Sequence, residues 1–549
     1  GIGTYTNKFA ITSVPSADDR TGYYSDLYLV NTYTGEKQLI TRHYPPRGGG
    51  KYFSPEEKYF IWFERKNHHW YSFTTADGAI RNLTRGLSSP GFMDRDDGYD
   101  PVGIAGFMEG DNSVLIYDRF DIWKIDPSGK KPAVNLTNFY GVKHHLILRL
   151  LLFKSENREL IQTKRDLLLS AFSAADKSNG FYRWSASKAH DPQELDRGNY
   201  SYDPWGGAYG GLTALAAIRK AEQADVYVLQ KGSTGKFPNI FITRDFKSCK
   251  QQTFFEPEKA FNWYHSQPIA WKQPSGRPAE GLLFTPENLD TSRKYPLIVY
   301  YYQGDNTGAL NSYLTPELDH ANINIPYMVS NGYAVFMPDI YNSQTGNPGR
   351  DALDVVNSGV DELAKFDWID TAKVGLQGHS YGAFETNFIV SHSNRYKAAV
   401  SGEGVSNVIP MEYSFTRPNE FGGMKFYEKG QGGINATLWE NRAAYLDNSA
   451  ILRADQVTTP LFLMANKGDD VVLSGTQGIP WFNALSRLNK KVWLVDYQKE
   501  GHSVHDLPNL LDYSTRVKQF FDYYLKGEPA PKWMTQNSQS LEPDPGVTP

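Results

Sequence analysis

The segment Gly378-His379-Ser380-Tyr381-Gly382 sets a serine between two glycines. It directly follows an apolar run, residues 373–378 (KVGLQG), and directly precedes a helix-forming stretch, residues 381–391. A serine on a sharp strand-to-helix turn projects its hydroxyl clear of the chain and can serve as a nucleophile. The glycines suit the turn because no side chain fits beside the serine, and the helix N-terminus favours developing negative charge. Such a serine needs a histidine base and an acid to orient that base. The motif calls for the acid first and the histidine second along the chain. Asp469-Asp470 follows the apolar run PLFLMAN (460–466), and His502 with His505 follows KVWLVDY (491–497). Asp470 and His505 are open alternatives. Asp469 and His502 are expected, each being the first of its pair after the strand. The chemistry implied is nucleophilic acyl transfer.

These groups need a scaffold that brings strand ends together. Runs at 281–286, 295–302, 333–340, 373–378, 396–402, 460–466 and 491–497 read as buried strands. Helical stretches at 350–366, 381–391, 480–488 and 511–525 separate them. Strands alternating with helices predict a doubly wound, mostly parallel sheet, whose sites form at the C-terminal strand ends. The first half has a different grammar. An aromatic strand, a polar turn and a Leu-Thr-like close recur as DLYLVNTYTGEKQLIT from Asp26, HWYSFTTADGAIRNLT from His69 and DIWKIDPSGKKPAVNLT from Asp121. Weaker copies start at Phe181 and Asn239. A spacing of about 40 to 60 residues matches one four-stranded blade of an all-β propeller per repeat. The expected division is therefore a β-propeller over 1–257 with at least five blade-like repeats, the α/β domain over 258–527, and a loose extension over 528–549. A ring needs more strands than this half supplies, and the chain opens at Gly1 without Met, so further blades are expected upstream.

Composition narrows the functions. The 549 residues carry a net charge of −4, so no basic field recruits nucleic acid or an anionic membrane. One cysteine, Cys249, allows neither an internal disulfide nor a cysteine-based zinc site. No apolar run reaches the ~18 residues of a membrane span. His68-His69 and His144-His145 are adjacent pairs whose side chains diverge on a strand, and no HExxH accompanies them. DRDDGYD (94–100) lacks EF-hand spacing. No phosphate loop follows a strand, so no metal or cofactor is implied. Asn82, Asn135, Asn199 and Asn435 sit in N-x-S/T triplets, but two of these are the blade-closing Asn-Leu-Thr.

GHSYGAF, GDDVV and KEGHSV, following propeller-like repeats, resemble the prolyl oligopeptidase family of serine peptidases. The likeness covers nearly all of 259–549, the first half sharing only the repeat style. It implies an α/β-hydrolase catalytic domain, and the family's D-x-x-V acid falls on Asp469 and its histidine on His502. The family's oxyanion hole implies the backbone N–H of Tyr381 and the hydroxyl of Tyr302, in YYYQG after the first long strand. GHSYGAF is similar to the glutamyl endopeptidase branch, whereas 437–449 and the ending FFDYYLKGEPAPKWM are similar to prolyl peptidases of Bacteroidetes. Dipeptidyl peptidase IV has Asn where this chain has Val471. No Glu-Glu pair suits a substrate amine, Glu56-Glu57 reading as a solvated turn.

The resemblance also points to 403–433 as part of the pocket for the residue before the scissile bond. Tyr413, Phe415, Phe421, Phe426 and Tyr427 suit a proline ring or another small apolar side chain. Arg417 and Lys425 would suit an acidic one. Glu403 or Glu420 is a candidate for gripping a free amine. The expected function is hydrolysis of short peptides after proline or alanine. A glutamyl-type endopeptidase and a carboxyl esterase on the same triad are the alternatives, and a non-catalytic binding module is disfavoured because no triad member is missing. Peptides are the expected partners, a homodimer is compatible, and likeness to exported peptidases suggests the periplasm or outer-membrane surface.

Overall fold

The computed structural model describes the chain apart from residues 1, 18–23, 46–49, 94–100, 152–159, 162, 164, 203–217, 317, 319–321, 342–345, 415–425, 429 and 536–549. Two compact units emerge. One comprises Gly1–Asp203, Gly211–Lys231 and Asn239–Thr253; the other comprises Pro204–Gly210, Gly232–Pro238 and Phe254–Pro549.

Among the described residues, the repeats build five four-stranded sheets, each with its strands in chain order. Every repeat copy supplies the third and fourth strands of one sheet: Ser25–Asn31 with Lys37–Tyr44, His69–Thr74 with Ile80–Asn82, and Ile122–Ile125 with Val134–Asn135. The weaker copies do the same with Asn179–Trp184 and Gln193–Gly198, then Lys236–Thr243 and Cys249–Gln251. The Leu-Thr close has a physical basis. The Thr84 hydroxyl accepts the Trp70 N–H at 3.0 Å, and Thr137 accepts that of Ile122 at 3.2 Å. Each threonine thus satisfies a backbone donor on the neighbouring strand, while Leu83 and Leu136 are buried. Asn82 accepts from the N–H groups of Thr84 and Arg85, and Asn135 from that of Phe139, so both asparagines are turn formers.

Apolar cores join consecutive sheets of this unit. Ile11 and Leu29 of the first meet Phe60 and Phe73 of the second. Ile61 and Trp70 meet Val114 and Ile116 of the third, Leu115 and Ile122 meet Leu148 and Leu169 of the fourth, and Phe181 meets Leu229 and Phe246 of the fifth. Side chains alternating between the faces of each sheet let one strand serve two such cores.

The second unit is built on an eight-stranded sheet. Its strands are β1 (Tyr264–Lys272), β2 (Pro278–Pro286), β3 (Tyr295–Tyr301), β4 (Ala334–Pro338), β5 (Ile369–His379), β6 (Ala398–Gly402), β7 (Leu461–Met464) and β8 (Val492–Val495). The order is β1-β2-β4-β3-β5-β6-β7-β8. β2 runs antiparallel to both neighbours, and every pairing from β4 through β8 is parallel. Helices cover both faces. α1 (Pro348–Leu363), α2 (Tyr381–His392) and α3 (Gly478–Arg487) pack on one core with Leu297, Val299 and Leu463. α4 (Leu507–Phe521) packs on the other with Ile298, Phe462 and Met464. The doubly wound reading of the sequence is the sheet observed.

Two local readings differ. β1 was not expected, because it is an edge strand with most of its residues partly or fully exposed and therefore lacks a continuous apolar run. The extension is not loose throughout: the short helix Lys532–Thr535 is tied down, the Trp533 indole packing on Phe462 in a tilted pair at 5.1 Å and donating to Gln519.

Candidate active site

β5 delivers Ser380 into a turn at φ 55°, ψ −115°, a backbone conformation that costs energy for any residue with a Cβ. The surroundings hold it there. The Ser380 N–H donates to the Gly402 carbonyl at 2.8 Å, and the Ser380 carbonyl accepts from Ala383 and Phe384 as α2 begins. A Cβ on Gly378 would lie 2.1 Å from the Gly382 oxygen, and one on Gly382 would lie 2.3 Å from the Tyr301 oxygen. Both flanking glycines are thus demanded by backbone approaching backbone.

The other two groups arrive from the ends of β7 and β8. The Ser380 hydroxyl donates to His502 Nε2 at 2.7 Å, and His502 Nδ1 donates to Asp469 Oδ2 at 2.8 Å. Asp469 Oδ1 accepts the N–H groups of Val471 and Val472 at 2.7 and 2.9 Å. The D-x-x-V turn therefore occupies one oxygen and leaves the other for the histidine. Burial pushes the Asp469 carboxyl up, but the hydrogen bond and charge of His502 and the surrounding donors outweigh it and hold the group below its ordinary value. Asp470 and His505 make neither contact; His505 instead donates its N–H to Glu500.

Three residues outside the motif shape the two loops. Asn466 donates from its side chain to the Gly501 carbonyl and accepts from the Tyr497 N–H. Glu500 accepts from the backbone of His505 and Asp506 and from Asn509. Gly468 lies so near Glu500 that a Cβ would sit 2.4 Å from its carbonyl oxygen. The sequence signalled none of these: Asn466 and Gly468 act across two segments far apart in the chain, and Glu500 ties its own segment, 500–509.

Tyr302, just past β3, lies near the Ser380 side chain, and Gln431 donates to its hydroxyl at 3.4 Å. Burial raises its phenol above the usual range, which keeps it a neutral donor. Tyr381 opens α2, so its N–H is among the amides directed out of the helix N-terminus. Its ring packs on Tyr302 at 6.3 Å and on Phe426 at 5.9 Å.

The candidate pocket residues separate. Half-buried Phe426 joins Tyr302, Val471 and Ile409 at the margin of an apolar cluster that includes Tyr381 and Phe384. Tyr427 is a correction: it is 1% exposed, inside that cluster, and backs the wall rather than lining it. Tyr413 is 41% exposed and packs on Trp439 at 5.7 Å. Glu403 is the second correction. At 1% exposure it has no surface for a substrate amine. Phe415, Arg417, Glu420, Phe421 and Lys425 lie outside the described residues, as does the 94–100 loop. Among the described residues no group of three His, Cys, Asp or Glu could hold a metal ion, and no helix is long and apolar enough to cross a membrane.

Residues 320–528, which contain Ser380, Asp469 and His502, match the Prolyl oligopeptidase family. By this segment the chain is similar to the prolyl oligopeptidase family. Among relatives of the family segment, the uncharacterized peptidase YuxL of Bacillus subtilis is 27% identical over 297 residues, 53% of this chain and 42% of that protein. Dipeptidyl-peptidase 5 of Aspergillus oryzae is 27% identical over 259 residues, 45% of this chain and 34% of that protein. The chain thus spans less than half the length of these relatives. Dipeptidyl peptidase 4 of Porphyromonas gingivalis shares the fold, with a TM-score of 0.62 at 14% identity over 94% of this chain and 73% of that one.

Proposed function

We propose that the protein is a serine peptidase that hydrolyses short peptides through an acyl-enzyme, with its five sheets forming blades of a β-propeller. The observation that carries this reading is the hydrogen-bonded series Ser380–His502–Asp469 at the ends of β5, β8 and β7 of one sheet. Ser380 Oγ attacks the substrate carbonyl carbon while its proton passes to His502 Nε2. Asp469 stabilises the imidazolium so formed. The Tyr302 hydroxyl and the Tyr381 N–H receive the oxyanion. Collapse breaks the C–N bond, and the leaving amine takes the proton from His502. Water, deprotonated by His502, then attacks the ester, releasing the acid and returning the proton to Ser380.

Cleavage after proline or another small apolar residue is the specificity proposed, supported by the apolar margin of Phe426, Ile409 and Val471. A fluorophosphonate should label Ser380, and a peptide library should be cut after proline or alanine. Labelling of another residue sinks the mechanism. Preference for glutamate, or turnover of acyl sugars without peptides, sinks the specificity. An extracytoplasmic site is proposed on resemblance alone, and a precursor encoded without a signal segment would overturn it.

A further inference from the structure

Glu403 follows β6 at φ 54°, in the left-handed region that a residue with a Cβ occupies only when its surroundings enforce it. The enforcement is visible. Its N–H donates to the Met464 carbonyl at 2.9 Å. A Cβ on the next residue, Gly404, would lie 2.7 Å from Ala383 Cβ on α2. The strained backbone sends the carboxyl inward, where Oε1 accepts the Asn466 N–H at 2.8 Å. The other oxygen, Oε2, is buried and receives no donor, and the charged group that acts on it most is the neighbouring Asp469 carboxyl. Two carboxylates cannot face one another in a buried site unless one keeps its proton. Asp469 has the better claim to the charge, since Val471, Val472 and the His502 ring all donate to it. Glu403 has one backbone donor.

The groups around Glu403 agree. Asp469 on the loop after β7 and Asp496 after β8 are anionic when ionised, and both disfavour a second negative charge. The buried Tyr513 hydroxyl of α4 is neutral, its phenol raised by burial and by Glu403. His379 on β5 packs beside Gly402, and its ring is 5.2 Å from that of His502. No Lys or Arg pairs with Glu403 among the described residues.

We propose that Glu403 is a positioning residue that, as a neutral carboxylic acid, donates a hydrogen bond to Asp469, extending the site to the series Glu403–Asp469–His502–Ser380. This rests on the serine-hydrolase reading of Ser380. The donated bond disperses part of the Asp469 charge and fixes the carboxylate plane that faces His502. Burial and the adjacent Asp469 push the Glu403 carboxyl up to about 10, so the acid form persists at neutral pH.

The test is the rate of fluorophosphonate labelling of Ser380 against pH, with peptide turnover measured beside it. Glu403→Leu should slow labelling by about 10- to 100-fold. It should also move the acid limb to higher pH, because an Asp469 lacking its donor holds the imidazolium more tightly. KM should change less than kcat. Glu403→Gln, whose amide still donates, should recover most of the rate and restore the limb. If Glu403→Leu does not fold, the wild type against Glu403→Gln still decides: labelling of the wild type should fall above about pH 10 as Glu403 ionises, and that of the glutamine variant should not. Equal profiles, or a glutamine variant as slow as the leucine one, would overturn the proposal. If Ser380 labels but no peptide is cut, the peptidase reading fails while the labelling rates still judge Glu403.

Discussion

In the repeat unit Asp121 is fully buried, yet its oxygens accept from the N–H groups of Gly141 and Val142 and from the Thr137 hydroxyl. Asp118 likewise accepts from the Phe120 and Asp121 N–H groups and the Trp123 indole. In the sheet unit, buried Glu385 has no hydrogen-bond partner on either oxygen, and Glu403 keeps one backbone donor beside a second carboxyl. The contrast is between carboxylates that tie loops and carboxyls kept neutral. Burial pushes the Asp121 carboxyl up, but the Thr137 hydroxyl and the Val142 and Gly141 amides pull against it, and little chemistry is left to a group so tied. A buried Glu short of donors stays protonated, which destabilises the fold at high pH but supplies a donor next to reacting groups.

The largest expected effect separates the two regions outright. Ser380→Ala should lower peptide turnover by roughly 10⁴- to 10⁶-fold with little change in melting, measured by turnover and a denaturant curve. Loss of folding instead would mean that Ser380 is structural. The next effect concerns pH. Glu403 is raised above its unfolded value, so the unfolded chain releases this proton first and stability falls as pH rises from about 4.5 toward 10. Asp26 is depressed, chiefly by the Ser16 hydrogen bond, so its contribution is present above its unfolded value and is lost as pH falls below it. Melting of Glu403→Gln should therefore gain on the wild type by up to about 1.4 kcal/mol per pH unit across that window. A constant gap would show that Glu403 is charged in the folded protein.

Tyr302→Phe removes one oxyanion donor but keeps the ring that packs on Tyr381. A loss of about 10²- to 10³-fold in kcat, with KM nearly unchanged, is expected. An equal loss in binding would make Tyr302 a pocket wall. The smallest effect belongs to the repeat unit. Thr137→Val deletes the hydroxyl shared by Asp121 and the Ile122 N–H, and should cost about 1–3 kcal/mol of stability in a denaturant melt. Ser380 labelling should persist. If labelling falls with stability, the two units do not behave independently.

The sequence by itself determined the local events. Glycines at 378 and 382 mark a turn without room for side chains, apolar runs between helical stretches specify a parallel sheet, and the Leu-Thr closes mark the fourth strands of the repeats. These are readable because their causes lie within a few residues. It also put Ser380, Asp469 and His502 in order, since strand ends gather on one edge of such a sheet. Tertiary structure decided what depends on neighbours distant in the chain. The extension is tied at Trp533 through Phe462 and Gln519. Tyr427 became core and Phe426 margin, although they are adjacent and their rings touch at 4.9 Å, because the cluster encloses one ring and leaves the other partly open. Glu403 changed most: its segment suggested a substrate amine, but its positive φ turns the side chain inward onto Asp469. Residue type shows what a carboxyl can do, and burial beside another carboxyl decides whether it carries charge or a proton.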